Sequence, residues 1–326
     1  MPQPIIEIAG LTKRFATTVR KPGFAGAVGS LFAPERRTVT AVDSISFQIE
    51  HGDMVAFIGP NGAGKSTTIK LMTGILYRDE GTVSVLGLDP QTKRRTLSYR
   101  IGTVFGQKSQ LWFHLPALDT FRLMADIYDV DQAQRRIDYL TEVFGLHDLL
   151  HVPVRKLSLG QRIRCEIAAS LIHEPDILFL DEPTIGLDVV VKQRVRDLIM
   201  RINKEQAVTV FLTSHDAGDI EKICRRAIVI NHGRIVWDGT IKEMKYSFIG
   251  HKIIDLKLEA PLDLDCAGVA VVKARPYAAK LRVDTEVTTV ESAIRSVLGR
   301  NRILDIAISN PPLEEVIARM YEEHRS

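Results

Sequence analysis

The chain has 326 residues, 45% of them hydrophobic and 25% charged, with a formal net charge of +3. That is enough apolar material for a sizeable core, and the length favours one large domain with a smaller one beside it. The charge is too small to point to nucleic acid; no stretch reaches the roughly 18 uncharged apolar residues that a membrane-spanning helix needs; and Cys165, Cys224 and Cys266 are too scattered for a disulfide framework or a metal knuckle.

The opening, MPQPIIEIAGLTKRF, lacks a basic segment followed by an apolar run, so no signal peptide is expected, and a reducing compartment suits the cysteines. PIIEIAGLTKRF reads as a first strand and turn. TVTAVDSISFQIEHGDMVAFIGP reads as two more strands, turning at residues 51–53. Between them lie residues 16–37, ATTVRKPGFAGAVGSLFAPERR, longer than a simple sheet connection. Phe24, Val28, Leu31 and Phe32 recur there at near-helical spacing, bracketed by Arg20, Lys21, Arg36 and Arg37. An amphipathic helix at a membrane face fits this pattern, and so does a surface loop.

The apolar strand MVAFI leads into GPNGAGKST and then into a helix from Ser66 to about Met72. The stretch matches G-x-x-x-x-G-K-[ST] in the strand–loop–helix setting that the motif requires. Gly62 and Gly64 can take backbone angles closed to other residues. The loop of Gly59, Pro60, Asn61, Gly62, Ala63, Gly64, Lys65, Ser66 and Thr67 can therefore turn its N–H groups toward phosphate oxygens. Lys65 adds a point charge, and Ser66 offers a hydroxyl to Mg²⁺.

Strands are predicted at 81–86 and 100–105. The second ends in FGQKSQ, where Gln107 can accept from metal-bound water and donate to a phosphate oxygen; a surface amide is the competing reading. Residues 111–173 read as mostly helical, with breaks near Asp129 and Pro153. Within them LSLGQR, residues 157–162, opens a helical run with no nucleophile, acid–base pair or metal ligand of its own. Two apolar strands, DILFLD and TVFLTS, then flank the helix VVVKQRVRDLIMRINKE. Apolar strands alternating with helices predict a parallel sheet buried on both faces. Asp181 arrives at the carboxyl end of the first strand, where ligands of open α/β sheets bind, and Glu182 follows it. Such a pair can divide metal support from polarisation of an attacking water. TSHD puts His215 at the end of the second strand, able to donate to a γ-phosphate, although a lone histidine is more often structural. AIVINHGRIVWDG predicts a hairpin turning at 231–233.

Past about Lys245 the pattern changes. KIIDLKLEA, VAVVKARPY and AKLRVDTE alternate like half-buried strands, TTVESAIRSVLG reads as an amphipathic helix and RILDIAIS as a strand. PPLEEVIARMYEEH is a last helix, with Pro311 or Pro312 suited to its first turn. Residues 246–326 are thus expected to form a small α+β domain, regulatory or dimer-stabilising, behind a domain at 1–245.

In this order the pieces resemble the ATP-binding subunits of ABC transporters, over about residues 5–245. LSLGQ resembles the family signature LSGGQ, set between the Gln107 loop and ILFLDEP. The resemblance implies an α/β P-loop ATPase fold with a parallel core sheet, an antiparallel N-terminal subdomain and a helical signature subdomain at about 108–173. It implies ATP with Mg²⁺ held by Ser66, Gln107 and Asp181, and catalysis by Glu182, His215, Lys65 and Gln107. It also implies a head-to-tail dimer, in which Ser158, Gly160 and Gln161 of one subunit close over the γ-phosphate on the other's P-loop. The signature then needs no chemistry of its own, because it completes a site on another molecule, its helix start favouring an anion. Phe15 matches the aromatic that stacks on adenine, with a core phenylalanine as the alternative. Asp188, in TIGLD, matches the loop that meets the partner near the phosphates. Leu159 stands where glycine is commoner and Ile185 where a small residue is commoner, and neither change removes a phosphate contact.

The 16–37 segment resembles an insertion in ATPases of polysaccharide and teichoic-acid exporters. GQKSQLWFHLPALDTF, TIGLD and the C-terminal unit together resemble ATPases paired with type-2 exporter permeases. The resemblance therefore implies an ATP-hydrolysing subunit, paired as a homodimer at the cytoplasmic face of the cell membrane. It would power a separate permease, with no nucleic-acid partner and no span of its own. Trp112, Leu115 and Leu118 fall where the family receives the permease's coupling helix, and core packing explains them equally. A soluble ABC ATPase of translation or DNA repair is the alternative. The former usually fuses two such domains, whereas one P-loop occurs here; the latter separates its halves by a long coiled coil, for which Lys65 and Asp181 lie too close.

Overall fold

The computed structural model describes residues 3–19, 35–106, 109–214, 216–248 and 250–323. The chain divides into two compact units, 1–239 and 240–326.

In the first unit β1 (Ile6–Val19) and β2 (Glu35–Ile49) form an antiparallel hairpin. β3 (Met54–Ile58) leaves it for a central sheet, and β4 (Glu80–Val85) returns to the free side of β1. Alternation sets the faces: Ile6 and Ile8 are buried around exposed Glu7, and Ile45, Phe47 and Ile49 around exposed Ser46 and Gln48. The hairpin runs into the segment that the sequence set apart. Ala16, Thr17, Thr18 and Val19 pair with Thr38, Arg37, Arg36 and Glu35. Ladder hydrogen bonding thus claims both ends of the expected 16–37 interruption, while Phe24, Val28, Leu31 and Phe32 lie outside the described residues.

The most apolar strands build the central sheet. β3, β5 (Ile101–Phe105), β6 (Ile177–Asp181), β7 (Thr209–Thr213) and β8 (Arg226–Asn231) pair in parallel in the order β5-β6-β7-β3-β8. β9 (Arg234–Thr240) follows β8 through a turn in which His232 and Gly233 both have positive φ. Phe47 of the three-stranded sheet meets Phe57 and Phe211 of the central sheet at centroid distances of 5.9 and 6.3 Å, and Phe179 packs on Phe211 at 5.8 Å. These rings join the two sheets into one core.

Helix α1 (Lys65–Met72) follows β3, and α2 (Arg94–Ser98) precedes β5. The expected helical region resolves into α3 (Ala117–Ile127), α4 (Ala133–Phe144), a 3₁₀ turn at Val154–Lys156 and α5 (Leu159–Ser170). α3, α4 and α5 pack on one another around Phe121, Leu140, Phe144 and Ile163. Leu118 belongs to this core, whereas Trp112 and Phe113 are each 50% exposed ahead of α3. His173 is stacked on Tyr128 at 4.1 Å between centroids, and its Nε2 lies 3.0 Å from the Ile101 carbonyl. α6 (Val189–Gln206) and α7 (Ala217–Ile223) follow β6 and β7.

The second unit contains α8 (Ile241–Phe248), β10 (His251–Leu258), β11 (Val269–Arg275), β12 (Ala278–Asp284), α9 (Val290–Arg300), β13 (Ile303–Ser309) and α10 (Leu313–Glu323). Its sheet is antiparallel, ordered β11-β12-β10-β13. Ala293 and Val297 of α9 pack on Ile254, Leu256, Leu281 and Val283. The division falls after Gly239, ahead of the expected Lys245, because α8 packs against α10, with Met244 and Met320 fully buried. Pro311 and Pro312 precede α10 and do not enter its first turn.

Candidate functional site

β3, β6 and β7 are neighbours that end at one edge, and the chemistry-bearing residues sit on those ends. The register places Thr213 opposite Asp181 on one side and Phe57 on the other. Asp181 Oδ1 accepts from the Thr213 hydroxyl at 2.6 Å, and its Oδ2 from the Ser66 hydroxyl at 2.9 Å. The same Thr213 oxygen accepts from the Glu182 N–H at 3.1 Å. Glu182 has φ +55°, a left-handed conformation that few non-glycine residues adopt. A single threonine thus holds the last residue of β6 and the first beyond it.

The glycine loop leaves β3 and enters α1 through Gly64, at φ +109°. A Cβ there would lie 2.4 Å from the Ala41 carbonyl oxygen, so both sterics and backbone angle demand glycine. Because Gly64 occupies the N-cap, no side chain caps α1. The donors of its first turn remain open to an anion. Lys65 is buried and donates to the Gly59 carbonyl at 2.6 Å and to that of Pro60 at 3.2 Å. Burial lowers its pKa from the ordinary lysine value, against which the carboxylates of Glu182 and Asp181 act. Asn61, Gly62, Gly64, Lys65, Ser66, Thr67, Asp181 and Glu182 line one cleft of about 550 Å³. Ala41, Lys70, Ile75, Phe105 and Ile185 complete its walls.

Phe15 is not among the residues lining this cleft. It sits in β1 opposite Val39, half-buried, with the Lys13 ammonium 5.5 Å from its ring centroid. Gln107 and His215 lie outside the described residues.

The signature stretch is likewise absent from the cleft lining, and its side chains serve their own helix. The Ser158 hydroxyl accepts from the Gln161 N–H at 3.2 Å, and the Gln161 side chain accepts from the Ser158 N–H at 2.8 Å. This is a capping box, legible in the sequence as serine followed three residues later by glutamine. Gly160 is buried, and a Cβ on it would lie 2.4 Å from Cγ1 of Val191 in α6. The close approach that glycine permits is therefore met within the chain by α6. Asp188 caps α6, accepting from the N–H groups of Val190 and Val191 at 3.0 and 2.9 Å.

A buried ionic cluster joins these loops. Asp219 is fully buried and accepts from Arg196 Nε at 2.6 Å, from the Ser214 hydroxyl at 3.0 Å and from the Thr184 hydroxyl. Asp216 accepts from Lys192 at 2.5 Å and from Arg196 at 3.4 Å. Thr184 follows Glu182 by two residues and Ser214 precedes His215, so the cluster ties the loop after β6 to the loop after β7 through α6. Sequence reading missed it, although Lys192 and Arg196 share the helical face of buried Val195 and Ile199, a position that calls for acidic partners.

Residues 42–185 match the family model described as "ABC transporter". The chain is 31% identical over 215 residues to the ABC transporter ATP-binding protein NatA of Bacillus subtilis, covering 65% of this chain and 87% of that protein. It is 36% identical over 220 residues to the daunorubicin/doxorubicin resistance ATP-binding protein DrrA of Streptomyces peucetius, covering 67% of this chain and 66% of that protein. A dimeric ATP-binding cassette in a post-hydrolysis state bound to ADP and Pi shares the fold, at a TM-score of 0.60 and 23% identity, over 72% of this chain and 98% of that one. With these relatives, and a glycine loop and carboxylate pair on one sheet edge, the chain belongs to the ABC transporter ATP-binding proteins: it is an ATP-hydrolysing subunit that powers a transporter.

Proposed function

We propose that this subunit drives an exporter of the type-2 class, working as one of two identical copies at the cytoplasmic face of the cell membrane. The observation that carries the catalytic part is the junction of Ser66, Asp181 and Thr213 beneath the open amides of α1. The direction of transport is supported by DrrA, which is named for drug resistance.

In this reading the loop amides and Lys65 hold the terminal phosphates, with Lys65 exchanging the carbonyls of Gly59 and Pro60 for phosphate oxygens. Ser66 and Asp181 are hard oxygen donors held together, a set that suits Mg²⁺, which takes few protein ligands and completes its shell with water and phosphate. Among the described residues no cluster of three His, Cys, Asp or Glu offers a protein-only metal cage. Gln107 joins Ser66 and Asp181, and the bound cation supplies charge neutralisation at the phosphates. Glu182, fixed by Thr213, orients the attacking water; His215 donates to the γ-phosphate; Phe15 stacks on the base. Ser158, Gly160, Gln161 and Asp188 act on nucleotide held by the other copy.

No helix among the described residues is long and apolar enough to cross a membrane; in this reading a separate permease carries the substrate across. The exposed Trp112 and Phe113 give that permease a docking surface. By the same reading the 16–37 segment meets the permease at the membrane plane; residues 20–34 lie outside the described residues.

Glu182→Gln tests the assignment. It keeps size and hydrogen bonding but loses the base, so ATP binding should persist while turnover falls by about 100-fold or more. Turnover near that of the unaltered protein would remove Glu182 from the mechanism. In the same background, on residues 1–245 so that the C-terminal unit cannot hold the copies together, MgATP should convert monomer to dimer, and Ser158→Arg should abolish the conversion; a surviving ATP-induced dimer would end the shared-site reading.

A further inference from the structure

The sheet of the second unit has two edges that differ in protection. On β11 the register shifts between Val271 and Lys273, and Lys273 and Arg275 follow. Bulges and basic residues are devices by which edge strands avoid pairing with other chains. β13 is the opposite edge. Its one charged side chain, Asp305, is engaged inside the sheet by Lys257 at 3.1 Å. Beyond the register shift near Leu304, residues 305–309 pair regularly with β10.

The exposed apolar residues of β13 are not scattered. Ile308 pairs with Ile254, which pairs with Leu281, and Ile306 pairs with Leu256, which pairs with Ala279. Each row is buried under α9 until it reaches β13, where Ile308 is 50% and Ile306 39% exposed. The rows stop at the edge with apolar ends, and among the described residues no strand pairs with the outer side of β13.

We propose that β13 pairs with β13 of a second copy of this chain, antiparallel about Ala307, joining two four-stranded sheets into one of eight strands. In that register Ile306 faces the partner's Ile308, Ala307 faces the partner's Ala307, and Asp305 faces the partner's Ser309. Every residue of the regular segment finds a compatible opposite, and no like charges meet. Each apolar row continues across the junction, Leu281–Ile254–Ile308 passing into Ile306–Leu256–Ala279 of the other copy. The inference rests on the reading that two identical copies assemble. Because Thr240 follows Gly239 directly, pairing of the ATP-binding units raises the effective concentration of the C-terminal units for each other. The second unit then keeps the copies associated between nucleotide cycles.

Directly opposed residues in an antiparallel pair lie about 4.5–5.5 Å apart between Cα atoms, within the span of a disulfide. Ala307→Cys in the full chain, with Cys266→Ser removing the one cysteine that is not buried, should cross-link to covalent dimer under mild oxidation without nucleotide. Leu304→Cys, exposed but not opposite itself, should not. Ile306→Lys with Ile308→Lys should shift the nucleotide-free chain from dimer to monomer by light scattering while ATP binding is retained. Cross-linking through Ala307→Cys no greater than through Leu304→Cys overturns the proposal, as does a lysine-bearing variant that stays dimeric without nucleotide. If Ala307→Cys cross-links while the Glu182→Gln protein shows no ATP-induced tightening, β13 pairing stands and the shared ATP site fails.

Discussion

Asp219→Ala should be among the most damaging single changes outside the cleft. The carboxylate is fully buried and accepts from Arg196, Ser214 and Thr184, which are themselves 5%, 2% and 2% exposed. Its loss leaves the Arg196 guanidinium with Asp216 at 3.4 Å. Removing one partner of a buried ion pair costs about 3–5 kcal/mol, and an orphaned buried hydroxyl adds about 1–3 kcal/mol where it cannot turn to another acceptor. Ser214 retains Asp216 as a neighbour, so about 4 kcal/mol is the reasoned total, a large share of the 5–15 kcal/mol typical of a whole fold. The two tryptophans, Trp112 and Trp237, both belong to the first unit. Urea unfolding followed by their fluorescence therefore reports that unit. With an m-value of about 3 kcal/mol/M, the midpoint should fall by about 1.3 M. Replacing both partners, Asp219→Leu with Arg196→Met, should recover more than half of that, because no buried charge is left unpaired. A fall below about 0.3 M for the single variant, or a double variant as weak as the single, would refute the reasoning.

Gly160→Ala places a methyl 2.4 Å from Val191 Cγ1; the overpacking cost of about 1–3 kcal/mol outweighs the roughly 1 kcal/mol gained in helix propensity. The net loss should shrink when combined with Val191→Ala in a double-mutant cycle. Gly64→Ala combines φ +109° with a 2.4 Å approach to a backbone oxygen, so equilibrium binding of labelled ATP should be lost at concentrations that saturate the unaltered protein. Burial lowers the pKa of His173, opposed by its contact with the Ile101 carbonyl. Between about 6.5, the ordinary histidine value, and the lowered folded value, the unfolded chain binds a proton that the folded chain does not. Stability should therefore fall as pH drops below about 6.5, and His173→Phe should flatten that part of the urea-midpoint profile.

The parallel sheet was legible because its strands are apolar throughout, and the glycine loop because its residues must be glycine at fixed spacings. Asp181 and Glu182 were legible from their place at a strand end. What the sequence hid were roles set by tertiary packing. Ser158 and Gln161 were read for a partner's phosphate, yet they also cap their own helix, and Gly160 was read for approach by another molecule, yet Val191 fills that space. Asp219 lies 35 residues from Thr184 and 23 from Arg196, and no local pattern announces that three elements will converge on it. The unit boundary was placed late because the run following Gly239 is too short for its packing partner, α10, to be inferred from periodicity.

The long hairpin of β1 and β2 has a consequence for how this chain tolerates change. Val19 and Glu35 are cross-strand partners, at the end of a ladder that runs back through Phe15 and Val39. The two ends of residues 20–34 are therefore already side by side before that segment contributes anything. For a chain joined at such a point, the entropy of closing a loop grows only with the logarithm of its length, by about 0.6 kcal/mol for each doubling. Residues 20–34 can therefore be lengthened, exchanged or removed between descendants of this gene at little cost to the ATPase behind them, so variation there can accumulate without the catalytic sheet having to be reinvented.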